Sequence, residues 1–186
     1  MSDDPPRTGD RPPGYPAELE RRIRLRDGRE VAVRPILPSD APALASAIRA
    51  ADPETLRRRF LGAPPKLTPA RLAHLTTVDY RRRLALVALD PETGQGVAIA
   101  RYEGLDDTAA EPSVAVDPAW RRAGLATALI EMLAHAALER GYHTFSALYL
   151  AENRPIASLV AHGVGRTRIQ EGIAEAGVSL DRPPAR

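Results

Sequence analysis

The sequence predicts a mixed α/β (α+β) domain built on a single sheet. Three observations carry that expectation. Short runs of alternating or continuous apolar residues recur along the chain and read as strands. One long segment, Leu125 to about Arg140, sets Leu125, Ala128, Leu129, Met132, Leu133 and Ala136 on one helical stripe. The order of elements, ββ, helices, βββ, α, β, α, ββ, contains no internal repeat and fits one layer of strands carrying helices.

Met1 to Pro16 holds Pro5, Pro6, Pro12, Pro13 and Pro16 with Gly9 and Gly14, so it predicts a disordered tail ahead of a single domain over 17–181. Arg22 to Leu25 and Val31 to Arg34 alternate about Asp27-Gly28, the signature of a hairpin. Ser39 is a candidate N-cap for a helix bearing Leu44, Ile48 and Ala51. Asp52-Pro53 and Thr68-Pro69 repeat the start signal for two short helices. The Arg57, Arg58, Arg59 run reads as a mostly solvated face.

Leu84 to Leu89 is continuously apolar, which predicts a strand buried on both faces. Val97 to Tyr102 is its partner across a turn, and Pro112 to Val116 follows a polar loop. Gly141 ends the long helix, Phe145 to Leu150 is a further strand, and Asn153-Arg154-Pro155 opens a helix broken at Gly163 and Gly165. Arg166 to Gln170 and Ile173 to Leu180 complete a terminal hairpin, and 182–186 is a short polar tail.

Bulk properties narrow the function classes. With 186 residues there is room for one domain with a core. No apolar run approaches a membrane span and no secretory leader is recognisable, so neither membrane association nor export is expected. The absence of cysteine removes disulfides, thiolate zinc sites and a Cys nucleophile, and the expected location is the cytoplasm. A net charge of +2, with Lys66 the only lysine and 4% aromatic residues, argues against a nucleic-acid partner. His74, His135, His143 and His162 lack metal-ligand spacing, so no metal is expected.

The most informative stretch is Val114-Ala115-Val116-Asp117-Pro118-Ala119-Trp120-Arg121-Arg122-Ala123-Gly124-Leu125-Ala126-Thr127. It reads as strand, turn, helix, with small residues and two arginines at the helix mouth. The first backbone N–H groups of a helix have no internal partner and carry partial positive charge. Such a mouth suits a phosphate or pyrophosphate. Trp120 reads as packing behind the loop, and Asp79-Tyr80 as either a helix–strand cap or part of an acceptor pocket.

At Arg121, Gly124 and Ala126 the chain resembles the GCN5-related N-acetyltransferases (GNAT), whose signature Arg/Gln-x-x-Gly-x-Gly/Ala follows a strand and opens a helix. The resemblance extends over about Arg22 to Leu180. It implies the GNAT fold: one mixed, mostly antiparallel sheet, helices on both faces, and a splayed central strand pair. It also implies acetyl-CoA as co-substrate, its pyrophosphate held by Arg121, Arg122, Ala123, Gly124, Leu125, Ala126 and Thr127, and its pantetheine arm along Val114, Ala115 and Val116. Asn153 matches a family residue that contacts CoA, and also reads as an N-cap.

Val33-Arg34-Pro35-Ile36, Pro53-Glu54-Thr55-Leu56 through Phe60, Val78-Asp79-Tyr80 and Leu150-Ala151-Glu152-Asn153-Arg154-Pro155 are similar to the bacterial Pat-type protein lysine acetyltransferases. In that group Ala110-Glu111 would carry the catalytic glutamate, and the acceptor would be a protein lysine, an acyl-CoA synthetase among the candidates. Glu111 would then act as general base after a modest upward pKa shift by burial. Small-molecule amine acetylation and a non-catalytic acyl-CoA-binding module are the alternatives. Two departures stand out. Val160 occupies the place of a tyrosine that protonates the CoA thiolate in many relatives, and His162-Gly163-Val164-Gly165 replaces their Gly-Phe.

Overall fold

The long apolar run becomes the axis of the sheet because each of its faces meets a different layer. The computed structural model describes residues 11–60, 66–161 and 165–181. In it the strands are β1 (Arg21–Arg24), β2 (Glu30–Pro35), β3 (Arg83–Leu89), β4 (Gly96–Gly104), β5 (Ala109–Val116), β6 (Thr144–Leu150), β7 (Gly165–Gln170) and β8 (Ile173–Ser179). The helices are α1 (Ala41–Ala50), α2 (Pro53–Phe60), α3 (Pro69–Thr76), α4 (Leu125–Glu139) and α5 (Arg154–Ala161). The strands form one eight-stranded sheet in the order β1-β2-β3-β4-β5-β6-β8-β7.

On β3, Leu84, Leu86 and Ala88 join the main core with Leu125, Leu129, Met132 and Leu133 of α4. Ala85 and Val87, one residue out of phase, pack on the opposite face with Ile36, Leu44 of α1 and Ile99. Side chains alternate across a strand, so a segment covered on both sides must be apolar throughout. Helices therefore lie on both faces, as expected. A smaller cluster of Ala147, Tyr149, Ala174 and Ala176 seats α5 through Ile156, Ala157 and Val160.

All strand pairs are antiparallel except β5–β6. That parallel pair is short: only Ala109↔Thr144 and Ala110↔Phe145 are in register. On its other side β5 stays paired with β4 from Gly104↔Ala110 to Ala98↔Val116, straight through Tyr102↔Pro112. Pro112 has no N–H to give a ladder. The unbroken β4–β5 ladder leaves the loss on the β6 side, where the strands part after Ala110. This is the splayed central pair the family resemblance implies.

Two local expectations are corrected. Ser39 does not cap α1; it lies in a short 3-10 turn, Pro38–Asp40. Asp40 takes the capping work there, accepting from the Leu37 N–H at 2.8 Å and from both terminal nitrogens of Arg34 at 2.7 Å. Asp40 itself holds the N-cap position of α1, and its carboxylate is turned back to Leu37 and Arg34, so no side chain caps α1. The disordered tail expected through Pro16 lies outside the described residues up to 10, but residues 11–16 are docked. Arg11 reaches both Glu20 oxygens at 3.0 and 2.9 Å, and the Tyr15 hydroxyl donates to Glu20 at 2.7 Å. The Tyr15 ring meets Tyr80 edge-on at 5.6 Å. These contacts offset the ordering cost that the Pro/Gly-rich composition suggested would prevail.

Candidate functional site

The splay opens a gap whose walls are the free edge of β5, the start of α4 and the β6–α5 turn. Along β5, Val114, Ala115 and Val116 pair with Ala100, Ile99 and Ala98 of β4 and have no strand partner toward β6. The Val116 carbonyl on that side accepts from Arg121 Nε, which leaves Val114 and Ala115 for a ligand that can accept and donate like a strand. The distance from Glu111 to Val116 is about 17 Å at about 3.4 Å per strand residue, which suits an extended arm lying between the loop and the top of the gap.

At the lower end of β5 the chain turns through Asp117, whose carboxylate accepts from the Ala119 N–H at 2.8 Å. Arg122 (φ 64°) and Gly124 (φ 87°) are both left-handed. A non-glycine in that conformation is an outlier that the surroundings must impose, and such reversals are what an anion-binding nest of N–H groups is made from. Gly124 is the N-cap of α4 and offers no side chain to it. The first intrahelical bond is Ala128 N–H to the Gly124 carbonyl at 3.1 Å. The N–H groups of Leu125, Ala126 and Thr127 precede it and have no capping side chain. Small residues, a left-handed glycine and uncapped amides fit a pyrophosphate.

The loop arginines are less free than the sequence implies. Arg121 Nε donates to the Val116 carbonyl at 3.1 Å, and its Nη2 lies 3.9 Å from Asp52 at the start of α2. Part of its work is therefore to fold the loop back on β5. Arg122 is exposed. Arg57 of α2 pairs with Glu54 at 3.0 Å and also with Glu152 in the β6–α5 turn. With Asp52 at the loop and Arg57 at that turn, α2 crosses the opening from one wall to the other. Arg57 is thus not simply the solvated residue its run suggested; the side chains of Arg58 and Arg59 lie outside the described residues.

Glu111 stands one residue beyond the last β5–β6 pair, Ala110↔Phe145, where the strands begin to part. It is exposed, so the burial expected to tune it is absent. It has no ion pair among the described residues. Directly opposite on β4 is Glu103, which sequence reasoning did not single out. Glu103 lies 3.7 Å from Arg101 and 3.7 Å from His74. Arg101 is itself buried and donates to the Leu75 carbonyl of α3. One of the two facing carboxylates therefore has an arginine beside it and the other, among the described residues, does not. Counting residues back from a tight β4–β5 turn would have paired the two.

Asn153 is buried and occupies the N-cap position of α5, its carbonyl accepting from Ala157 N–H at 3.0 Å. Val160 packs into the α5 cluster and presents no acid. The 162–164 segment lies outside the described residues. Asp79 caps the turn into β3, accepting from Arg81 and Arg83 N–H at 2.8 and 2.9 Å, and Tyr80 donates to the Ile36 carbonyl at 2.8 Å. Both are structural, which settles the two readings of that pair in favour of the cap. Trp120 does pack behind the loop, under Arg29. A surface groove of about 510 Å³ between α1 and α3 is lined by residues such as Ala45, Leu72 and Thr76 rather than by any of these groups. Among the described residues no three metal-ligating side chains are gathered, and no helix is long and apolar enough to cross a membrane.

Residues 54–163 match the model of the acetyltransferase (GNAT) family. The chain is 31% identical over 138 residues to Acetyltransferase PA5475 of Pseudomonas aeruginosa, covering 73% of this chain and 74% of that one. It is 28% identical over 164 residues to Acetyltransferase Pat of Mycolicibacterium smegmatis, covering 87% of this chain and 49% of that one, so it spans about half of Pat's length. The GNAT domain of S. lividans PAT superposes with a TM-score of 0.80 at 28% identity, covering 89% of this chain and 99% of that one.

Proposed function

The chain belongs to the acetyltransferase (GNAT) family, and on that premise we propose that it transfers acetyl from acetyl-CoA to an amine, with Glu111 as general base. One observation carries the reading: β5 leads through a short loop to an uncapped helix mouth, carries near its other end a carboxylate with no ion pair among the described residues, and has no strand partner toward β6 along Val114 and Ala115.

The residues divide the work. The N–H groups from Arg122 to Thr127, with Arg121 and Arg122 beside them, hold the pyrophosphate. The edge of Val114, Ala115 and Val116 pairs with the pantetheine arm, and Asn153 contacts CoA from the other wall. A backbone N–H of that edge receives the negative charge that develops on the thioester oxygen. Acetyl-CoA supplies the activated acyl group. Glu111, directly or through one water, removes a proton as the amine nitrogen bonds to the acyl carbon and the carbon–sulfur bond breaks. Exposure of Glu111 lets a long side chain reach it, which supports a lysine on a folded protein as acceptor. The similarity to Pat-type enzymes supports the same class, with an acyl-CoA synthetase among the candidates.

The test is calorimetric titration with acetyl-CoA and CoA together with acetyl transfer to lysine peptides, intact proteins and small amines. Micromolar binding with transfer to lysine supports the reading. Transfer only to small amines moves the acceptor to that class, and tight binding without transfer to any amine makes the chain an acyl-CoA-binding module.

A further inference from the structure

The cofactor loop is held from behind by a part of the chain that no signature includes. The turn between β1 and β2, Leu25 to Arg29, lies against residues 119–124. Its geometry comes from Asp27-Gly28, closed by Leu25 N–H to the Arg29 carbonyl at 2.7 Å. Arg29 then uses nearly its whole guanidinium. Nε and Nη2 donate to Asp27 at 2.9 and 2.6 Å, Nη1 donates to the Ala119 carbonyl at 3.0 Å, and the plane lies 4.2 Å from the centre of the Trp120 ring. Three residues earlier, the Arg26 N–H donates to the Ala123 carbonyl at 3.1 Å. The Arg26 side chain lies so close that a Cβ at Gly124 would stand 3.3 Å from its Nε. The turn therefore grips the loop at both ends, across 90 residues of sequence at Arg29–Ala119, while Arg121 and Arg122 project between the two holds.

We propose that Arg29 is a positioning residue for acetyl-CoA binding: oriented by Asp27, it holds Ala119 and Trp120 so that the left-handed loop is already formed when the cofactor arrives. This rests on the reading that the loop receives the phosphates of acetyl-CoA. A loop with a strained residue at Arg122 favours other conformations unless it is held. Ordering it at the moment of binding would subtract from affinity, and pre-ordering removes that cost. Asp27 matters as much as Arg29 because it fixes the guanidinium in the one orientation that reaches both the carbonyl and the indole face.

Lost positive charge and lost positioning are separable. Arg29→Ala removes a cation, and either cause would weaken anion binding. Asp27→Asn removes an anion: a field effect would tighten acetyl-CoA binding, whereas loss of positioning weakens it. By calorimetry, Arg29→Ala is expected to raise the Kd for acetyl-CoA about tenfold, as for loss of a hydrogen bond to a charged group. Asp27→Asn is expected to raise it severalfold, and Arg29→Lys to lie between Arg29→Ala and the wild type. In turnover, Asp27→Asn should raise KM for acetyl-CoA and leave kcat at saturation in place. Without any ligand, hydrogen exchange of the amides from 119 to 127 should quicken in both Asp27→Asn and Arg29→Ala while the rest of the sheet is unchanged. Unchanged or tighter binding by Asp27→Asn, or unaltered exchange in that loop, overturns the proposal. If the wild type itself fails to bind acetyl-CoA, the functional reading falls, and the exchange data alone decide whether the turn holds the loop.

Discussion

Glu111 faces Glu103 directly across the β4–β5 ladder, one residue past the point where β5 leaves β6. Like charges in that position repel, and the structure relieves the pair unequally. Arg101 and His74 flank Glu103 at 3.7 Å, whereas Glu111 has no ion pair among the described residues and is exposed. Glu103→Gln is therefore expected to keep kcat within about threefold, the scale of an exposed charge interaction. Steady-state rates at saturating acetyl-CoA check this; a collapse of kcat would mean that the base has been assigned to the wrong strand.

Gly124 is needed for its conformation and for its lack of a side chain. At φ 87°, with Arg26 Nε 3.3 Å from where a Cβ would stand, Gly124→Ala adds about 1–2 kcal/mol of left-handed strain and makes the Arg26 side chain shift slightly. Acetyl-CoA affinity is expected to fall about tenfold or more for that strain, with a smaller loss of thermal midpoint. Titration of the variant against wild type measures it, and an unchanged Kd would remove the loop from the binding account.

Gly104, where β4 turns toward β5, is required by a close approach alone. An added Cβ would stand 2.2 Å from the buried Tyr142 hydroxyl, whose ring packs edge-on to Tyr102 at 5.5 Å. Gly104→Ala is expected to destabilise by about 1–3 kcal/mol through overpacking, read from urea midpoints. Tyr142→Phe in the same chain should recover part of that loss; no recovery would place the strain elsewhere.

Asp79 supplies a pH dependence of stability. Burial raises its pKa, but the N–H groups of Arg83, Arg81 and Arg82 on the carboxylate outweigh it and hold the group below its usual 3.8. Folding thus favours the ionised form, so the contribution is fully present above the unfolded value and is lost as pH falls through the lower folded value. Asp79→Asn should cost most stability near neutral pH, and the gap to wild type should narrow as pH drops below about 4. Chemical denaturation at several pH values tests this, and a gap that widens on acidification would contradict it.

These residues show which parts of the molecule the chain alone reveals. The strands and helices follow from apolar periodicity, which is local, and the helix mouth at Gly124 follows from residue size and order. The hold of Arg29 on Ala119 joins positions 90 apart, and only the register of the folded sheet brings them together. Arg101 is buried and donates to the Leu75 carbonyl of α3, a contact between residues 26 apart that periodicity does not reveal. Asp40, not Ser39, stands at the N-cap of α1, and its carboxylate is turned to Arg34 on the preceding strand instead of to the helix. Pro112 reads in sequence as the start of its strand, whereas β5 begins at Ala109, because the ladder with β4 continues through it.

The central claim is that Glu111 moves the proton and the Gly124 loop holds the cofactor, as separate functions of one strand and its exit. The most direct measurement is a paired one on Glu111→Gln: calorimetric Kd for acetyl-CoA, and kcat for acetyl transfer to the best amine acceptor of the wild type. The account predicts a Kd close to wild type and a kcat reduced by about 10²–10⁴-fold, the span of a lost general base. A kcat within about threefold of wild type, far inside that span, would contradict it, as would a loss confined to acetyl-CoA binding.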